Sequence, residues 1–235
     1  MSNPRVLILG CSFSMGSYGA LDSKNDQVVS NYCWYNELPK DYIYDVYTTA
    51  GGSYLNYASL LWNNVQTSIY HAIIIQETTQ ARFLILNEPK YICYSDYENV
   101  NVYKPYKEMK VYRNNMKGTE LKNWEEKYNM KVTPELQFFF NDFDTSKSIR
   151  LIGNAMSEYV DRLCKQTKKP TLAFSLNRPG RTTPKHEYIR RLDDSFREVI
   201  WGNNKYQVNP PYGHFNEEGN KLIGKELCQQ ITSLI

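Results

Sequence analysis

A chain of 235 residues and 27.6 kDa makes one large domain, or one domain carrying a substantial insertion. A hydrophobic content of 41% and a charged content of 23% exclude a wholly disordered chain and supply enough apolar side chains for a core. A net charge of +3 is too mild to argue for nucleic acid as a partner, because phosphate binding calls for clustered Lys and Arg. The cysteines (Cys11, Cys33, Cys93, Cys164 and Cys228) are odd in number, widely spaced and without a Cys-x-x-Cys pair, and only His71, His186 and His214 accompany them. Reduced thiols fit this pattern better than a disulfide framework, and no metal centre is expected. The longest apolar runs, Val6–Leu9 and Ala72–Ile75, are far short of the ~20 residues that cross a bilayer. The opening Met-Ser-Asn-Pro-Arg lacks the apolar stretch and cleavage site of a signal peptide. The expectation is therefore a soluble chain without membrane partners, cytoplasmic or virion-associated.

In chain order, Arg5–Leu9 reads as a buried strand stopped by Gly10. Ile43–Thr48 alternates as a second strand and runs into Ala50-Gly51-Gly52-Ser53, after which Leu55, Ala58, Leu61, Trp62 and Val65 predict a helix over 54–68. Ala72–Gln76 is a third strand. Ile149–Lys165 is a long helix with Ile149, Ile152, Ala155, Met156, Tyr159, Val160 and Leu163 on one stripe, and Thr171–Leu176 is a fourth strand. Asn216 caps a last helix that carries Glu217 and Glu218 in its first turn and Leu222, Ile223, Leu227 and Ile231 beyond. Continuously apolar strands alternating with helices predict an α/β fold, a parallel sheet covered on both faces. Residues 87–145 break this rhythm with scattered apolar positions among Tyr, Lys, Glu and Asn. They are read as an inserted, mainly helical subdomain between core segments 1–86 and 146–235, since so long a structureless loop is improbable in a compact domain.

Ligands of open parallel sheets bind at the carboxyl ends of the strands. Those ends carry Gly10-Cys11-Ser12-Phe13-Ser14, then Ala50-Gly51-Gly52-Ser53, then Gln76-Glu77-Thr78-Thr79-Gln80-Ala81-Arg82. Tyr212-Gly213-His214-Phe215-Asn216 precedes the last helix. A hydroxyl, a glycine turn, an amide cluster and a histidine on one edge are the parts of an acyl-transfer site.

These residues resemble the SGNH or GDSL-type hydrolases, a family of esterases, lipases and carbohydrate acetylesterases. The family's Gly-Asp-Ser-x-Ser block looks like Gly10-Cys11-Ser12-Phe13-Ser14, its second-block glycine like Gly51, and its final Asp-x-x-His like Pro211-Tyr212-Gly213-His214. The third block, Gly-x-Asn-Asp, is altered: aligned on the strand, Gln80 takes the Asn position, with Thr79 the competing choice. The acid of the last block is missing, its place taken by Pro211. The match spans roughly 5–82 and 170–234.

The resemblance implies a three-layer α/β/α flavodoxin-like fold and a cofactor-free serine esterase. Ser12 is then the nucleophile and His214 the base, with an oxyanion held by the Ser12 and Gly51 N–H groups and the Gln80 amide. Its substrate is a short acyl ester, O-acetyl on carbohydrate being the implied case. Thr79 and Arg82 stand beside the site as candidate substrate contacts, although Arg82 suits a structural ion pair better. The plain alternatives are a Ser12 that only caps the next turn, a buried Cys11 filler, and His71 and His186 on the surface. At the level of the whole chain the alternatives are an SGNH-fold binding or structural protein without turnover, of viral origin for example, and an acyl transferase.

Overall fold

The computed structural model describes residues 3–14, 17–18, 28–30, 32–49, 52–64, 67–78, 84–85, 89–97, 99–106, 110–111, 145–179, 184–207 and 214–232. In chain order the strands are β1 (Arg5–Cys11), β2 (Ser17–Tyr18), β3 (Val28–Ser30), β4 (Ile43–Thr49), β5 (Ala72–Glu77), β6 (Leu84–Ile85), β7 (Pro89–Tyr97), β8 (Val100–Tyr106), β9 (Lys110–Val111), β10 (Thr171–Ser175) and β11 (Arg190–Arg191). The helices are α1 (Tyr54–Ser59), α2 (Thr145–Thr167), α3 (Phe196–Gly202) and α4 (Glu217–Thr232).

The main sheet has the order β11-β10-β5-β1-β4-β8-β7. Strands β11, β10, β5, β1, β4 and β8 are mutually parallel, and β7 closes the edge antiparallel to β8. Without the β7–β8 extension, the strands β4-β1-β5-β10-β11 are the second, first, third, fourth and fifth in chain order. That is the flavodoxin-like order, whose switch point lies between the first and third strands, here β1 and β5.

The period of two within the strands sorts their side chains onto two faces. Val6, Ile8, Tyr44, Val46, Ala72, Ile74, Leu172 and Phe174 point to one face. There they pack with Trp34 and Leu38, with Phe196 and Ile200 of α3, and with Ile223, Leu227 and Ile231 of α4. Leu7, Leu9, Ile73, Ile75 and Ala173 point to the other, against Tyr54, Tyr57 and Ala58 of α1 and Val160, Leu163 and Cys164 of α2. The expected three-layer α/β/α architecture is present, and no helix among the described residues is long and apolar enough to cross a membrane.

Two expectations differ from the structure. The helix expected over 54–68 is α-helical only to Ser59 and then passes through a π turn at Leu60–Asn64, which leaves Trp62 63% exposed. At the start of 87–145, where helix is expected, Pro89–Tyr97 and Val100–Tyr106 are strands: β8 pairs with β4 from Tyr44↔Val100 to Tyr47↔Tyr103, and β7 pairs with β8. The runs Tyr-Ile-Cys-Tyr and Val-Asn-Val-Tyr are aromatic and β-branched, the composition that fits a pleated surface. Residues 112–144 lie outside the described residues.

Candidate active site

The chain leaves β1 into a 3-10 turn, Ser12–Ser14. Gly10 is what lets this turn fold back tightly. A Cβ at Gly10 would overlap Ser14 Cβ and stand 2.5 Å from Ser14 Oγ. The turn is held from the neighbouring strand by Gln76, fully buried near the end of β5. Its Oε1 accepts hydrogen bonds from the Cys11 backbone N–H at 3.0 Å, the Cys11 thiol at 3.1 Å and the Ser14 hydroxyl at 3.4 Å. Its amide nitrogen donates to the Glu77 carbonyl. Cys11 is 1% exposed, as expected of a filler beneath the turn.

From Ser14 a buried polar chain runs to the other end of the sequence. Trp34 Nε1 donates to Ser14 Oγ at 3.1 Å, and Trp34 N donates to Asn220 Oδ1 at 3.2 Å. Asn220 Nδ2 in turn donates to the Phe215 carbonyl at 3.1 Å. Asn216 caps α4 as the sequence suggests, its Oδ1 accepting from Gly219 N at 3.0 Å. The segment His214–Phe215 is thereby fixed at the start of α4, where the rings of Phe13, Phe215 and Trp201 of α3 form one cluster. Phe13 stacks on Phe215 at 5.3 Å, meets His214 at 5.1 Å and Trp201 at 6.2 Å, centroid to centroid. The turn that begins at Ser12 and the histidine more than 200 positions away therefore meet through the residue following Ser12.

After β4, Ser53 and Asn56 form a reciprocal capping box at the start of α1, with Asn56 Oδ1 accepting from Ser53 N at 2.9 Å. Thr78, just past β5, donates to the Gly52 carbonyl at 2.6 Å, which ties the ends of β4 and β5 together. The predicted Gly51, Thr79, Gln80 and Arg82 lie outside the described residues, as does the Ser12 side chain.

One cluster was not foreseen as a unit. Glu77, fully buried, faces away from Gln76, and its Oε1 lies 3.2 Å from His186 Nε2. His186 Nδ1 is 3.7 Å from Asp161 Oδ1 and makes no hydrogen bond. Arg191 reaches Glu77 and Asp194, both at 2.6 Å, and Arg197 reaches Asp194 at 2.9 Å. Burial works against the Arg191 charge, but the Glu77 and Asp194 carboxylates more than offset it, so its pKa is raised. The Tyr54 hydroxyl is buried here without a hydrogen bond, and burial, then Glu77, pushes its pKa up.

His186 is thus a core residue with a side chain 3% exposed, not the surface residue expected, because two carboxylates receive it. His71 is exposed as expected, accepting from Arg5 N at 3.2 Å. Asp193 and Asp194 have their own partners. Asp194 Oδ2 takes Arg191 and the Ser175 N–H, its Oδ1 takes Arg197, and Asp193 binds Ser195. A polar Gln-Glu pair ending an apolar strand was the visible signal for Gln76 and Glu77. Nothing in sequence spacing joins Glu77 to His186 and Arg191.

No family model matches the chain, and no curated protein matches it. Among solved structures it is similar to a lipase, Lip_vut3, from a goat rumen metagenome, at a TM-score of 0.45 and 12% identity over 95% of each chain.

Proposed function

We propose that the protein is a serine ester hydrolase of SGNH type, with Ser12 as nucleophile and His214 as general base. The observation that carries this reading is the contact of His214 with Phe13 beside the end of β1, at the switch point of a sheet in flavodoxin order. Two segments with the residue types of an acyl-transfer site come together where such sheets bind ligands.

In this reading Ser12 Oγ attacks the ester carbonyl while His214 takes its proton. The negative charge developing on the carbonyl oxygen is met by N–H groups at Ser12 and Gly51 and by the Gln80 amide. His214 then protonates the departing alcohol, and water, activated by the same imidazole, releases the acid from the acyl-enzyme. Pro211 stands where the family has an acid, so Ser12 and His214 act as a dyad. Loss of the acid alone in a protease triad lowers the rate by about 10⁴-fold, so turnover is expected to be slow. The substrate class is a small ester with a short acyl group, O-acetyl on carbohydrate being the case the family resemblance favours.

Aryl acetate hydrolysis by the parent, Ser12→Ala and His214→Ala tests the proposal. Activity in the parent and loss in both variants supports it. The altered third block and the Pro at 211 favour a second reading, a binding or structural protein on the same fold. That reading gains if the folded parent hydrolyses no aryl ester. Transfer of the acyl group to an added alcohol in preference to water would identify a transferase instead.

A further inference from the structure

We infer that Gln76 is a positioning residue for the proposed nucleophile: its side-chain oxygen sets the turn on which Ser12 is carried. The inference rests on the hydrolase reading and adds to it a residue outside the four sequence blocks. Three donors converge on one oxygen, two from Cys11 and one from Ser14, the residues that bracket Ser12 and Phe13. Every member is buried: Gln76 and Ser14 are 0% exposed and Cys11 1%. The Gln76 side-chain amide is itself fixed, because its nitrogen donates to the Glu77 carbonyl, and the Gln76 backbone carbonyl accepts from the Tyr57 hydroxyl at 2.8 Å.

The geometry has a chemical consequence. The Cys11 N–H stands at the last residue of β1, where the strand ladder ends and a backbone donor needs a new acceptor. Gln76 supplies it from the adjacent strand, so the register of β1 against β5 is transmitted to the turn. Ser14, held by the same oxygen, accepts from Trp34, and Trp34 donates to Asn220, whose own amide donates to the Phe215 carbonyl. One polar chain therefore fixes both the turn of Ser12 and the segment of His214. A nucleophile and base must meet within hydrogen-bond reach, and a misplacement of about 1 Å costs about 10²-fold in rate. An apolar residue at 76 would leave the Cys11 N–H and the Ser14 hydroxyl without their acceptor and free the turn to shift.

The test compares the parent with Gln76→Met, close in length and apolar, and Gln76→Glu, which keeps an accepting oxygen on a stem of the same length. Three readouts are taken on folded protein: the rate of fluorophosphonate labelling of Ser12, kcat and KM for an aryl acetate, and the rate of native-state alkylation of Cys11. Gln76→Met is expected to label about 10- to 100-fold more slowly, with the loss in kcat and little change in KM, and to alkylate Cys11 faster than the parent. Gln76→Glu is expected to recover most of the labelling rate. A folded Gln76→Met that labels within twofold of the parent overturns the inference. So does a loss confined to KM, or a Gln76→Glu as slow as Gln76→Met. If Gln76→Met does not fold, Ser14→Ala breaks the same chain one link on, and a parental labelling rate there overturns the inference equally. A parent that resists the probe overturns the hydrolase reading itself. Faster Cys11 alkylation in Gln76→Met would then still report the hold of Gln76 on the turn, so the two failures are distinguishable.

Discussion

The rings of Phe13 and His214 lie 5.1 Å apart, centroid to centroid, and tilted by 53°. Phe13 belongs to the turn after the first strand and His214 to the lead-in of the last helix, so this contact joins the two ends of the fold at one site. Phe13 also stacks on Phe215 and meets the edge of Trp201, so its ring is the surface against which the His214 segment is set. Replacing Phe13 by Ala is expected to destabilise the fold by about 3 kcal/mol, the lower part of the usual range for losing a packed Phe. It is also expected to slow ester turnover by more than the stability loss explains. Urea unfolding and kcat, measured on Phe13→Ala and the milder Phe13→Leu, check both. A Phe13→Ala protein that is destabilised but keeps full kcat removes the positioning role from this ring.

The Gly10–Ser14 approach leads to a paired test. A Cβ at Gly10 meets Ser14, which is held by Trp34 and Gln76 and has little room to retreat. Gly10→Ala is expected to destabilise by about 1–3 kcal/mol, the range for overpacking a close-packed site. Adding Ser14→Gly removes the atoms it strikes. The double variant is expected to be more stable than the sum of the two single changes, by thermal denaturation. Simple additivity would place the strain elsewhere.

The Glu77–Arg191–Asp194 cluster is a network of coupled charges, and removing one partner strands the others in a poorly solvated place. Arg191→Met alone is expected to be strongly destabilising. Arg191→Met with Glu77→Met is expected to recover part of the loss, with an interaction energy of about 1–3 kcal/mol in a double-mutant cycle. A coupling near zero would mean that Glu77 draws its stabilisation from His186 instead.

Alkaline pH supplies another check. Burial, then Asp161, pushes the Cys164 thiol up to about 12, and burial raises the Tyr44, Tyr54 and Tyr70 hydroxyls as well. In the folded state these groups hold their protons past the pH at which the unfolded chain releases them. Above the ordinary thiol and phenol range the unfolded state therefore binds fewer protons, and stability falls as pH rises. Each such group contributes up to about 1.4 kcal/mol per pH unit in that window. Urea midpoints are expected to drop steeply from about pH 9 upward, and Cys164 is expected to resist alkylation in the native state. A flat profile from pH 8 to 11 would contradict the buried, neutral state of these groups.

Much of the frame was legible in the sequence because apolar runs bounded by turn residues leave few readings. Val6–Leu9, Ala72–Ile75 and Thr171–Phe174 are buried strands in the expected parallel sheet, and Asn216 caps α4. The long helix was found, but its buried side was not fully the apolar stripe. Ser157, Asp161 and Cys164 are buried, while Ala155 is exposed. Asp161 sits inside because the backbone N–H groups of Tyr188 and Ile189 and the His186 ring face it, a tertiary arrangement that no local pattern encodes. Strand β8 was missed because Asn101 interrupts its apolar pattern. Its amide is held by Asp45 at 2.9 Å, which belongs to a strand more than fifty residues earlier. Cutting out the whole segment 87–145 would therefore strip β8 from β4 and take Val100, which is 1% exposed, out of the core. In the candidate site, sequence order pointed to the two segments that meet through Phe13 and His214. Gln76 and Trp34 act only through contacts across the sheet and between layers, which spacing along the chain does not reveal.

The most direct measurement of the central claim is mass spectrometry of the folded protein after reaction with a fluorophosphonate. The parent is expected to carry one adduct on Ser12, Ser12→Ala none, and His214→Ala an adduct formed at least about 10²-fold more slowly, the lower bound for losing a positioned general base. A folded parent that gains no adduct at high reagent, or gains it on a residue other than Ser12, contradicts the assignment of Ser12 and His214 as nucleophile and base.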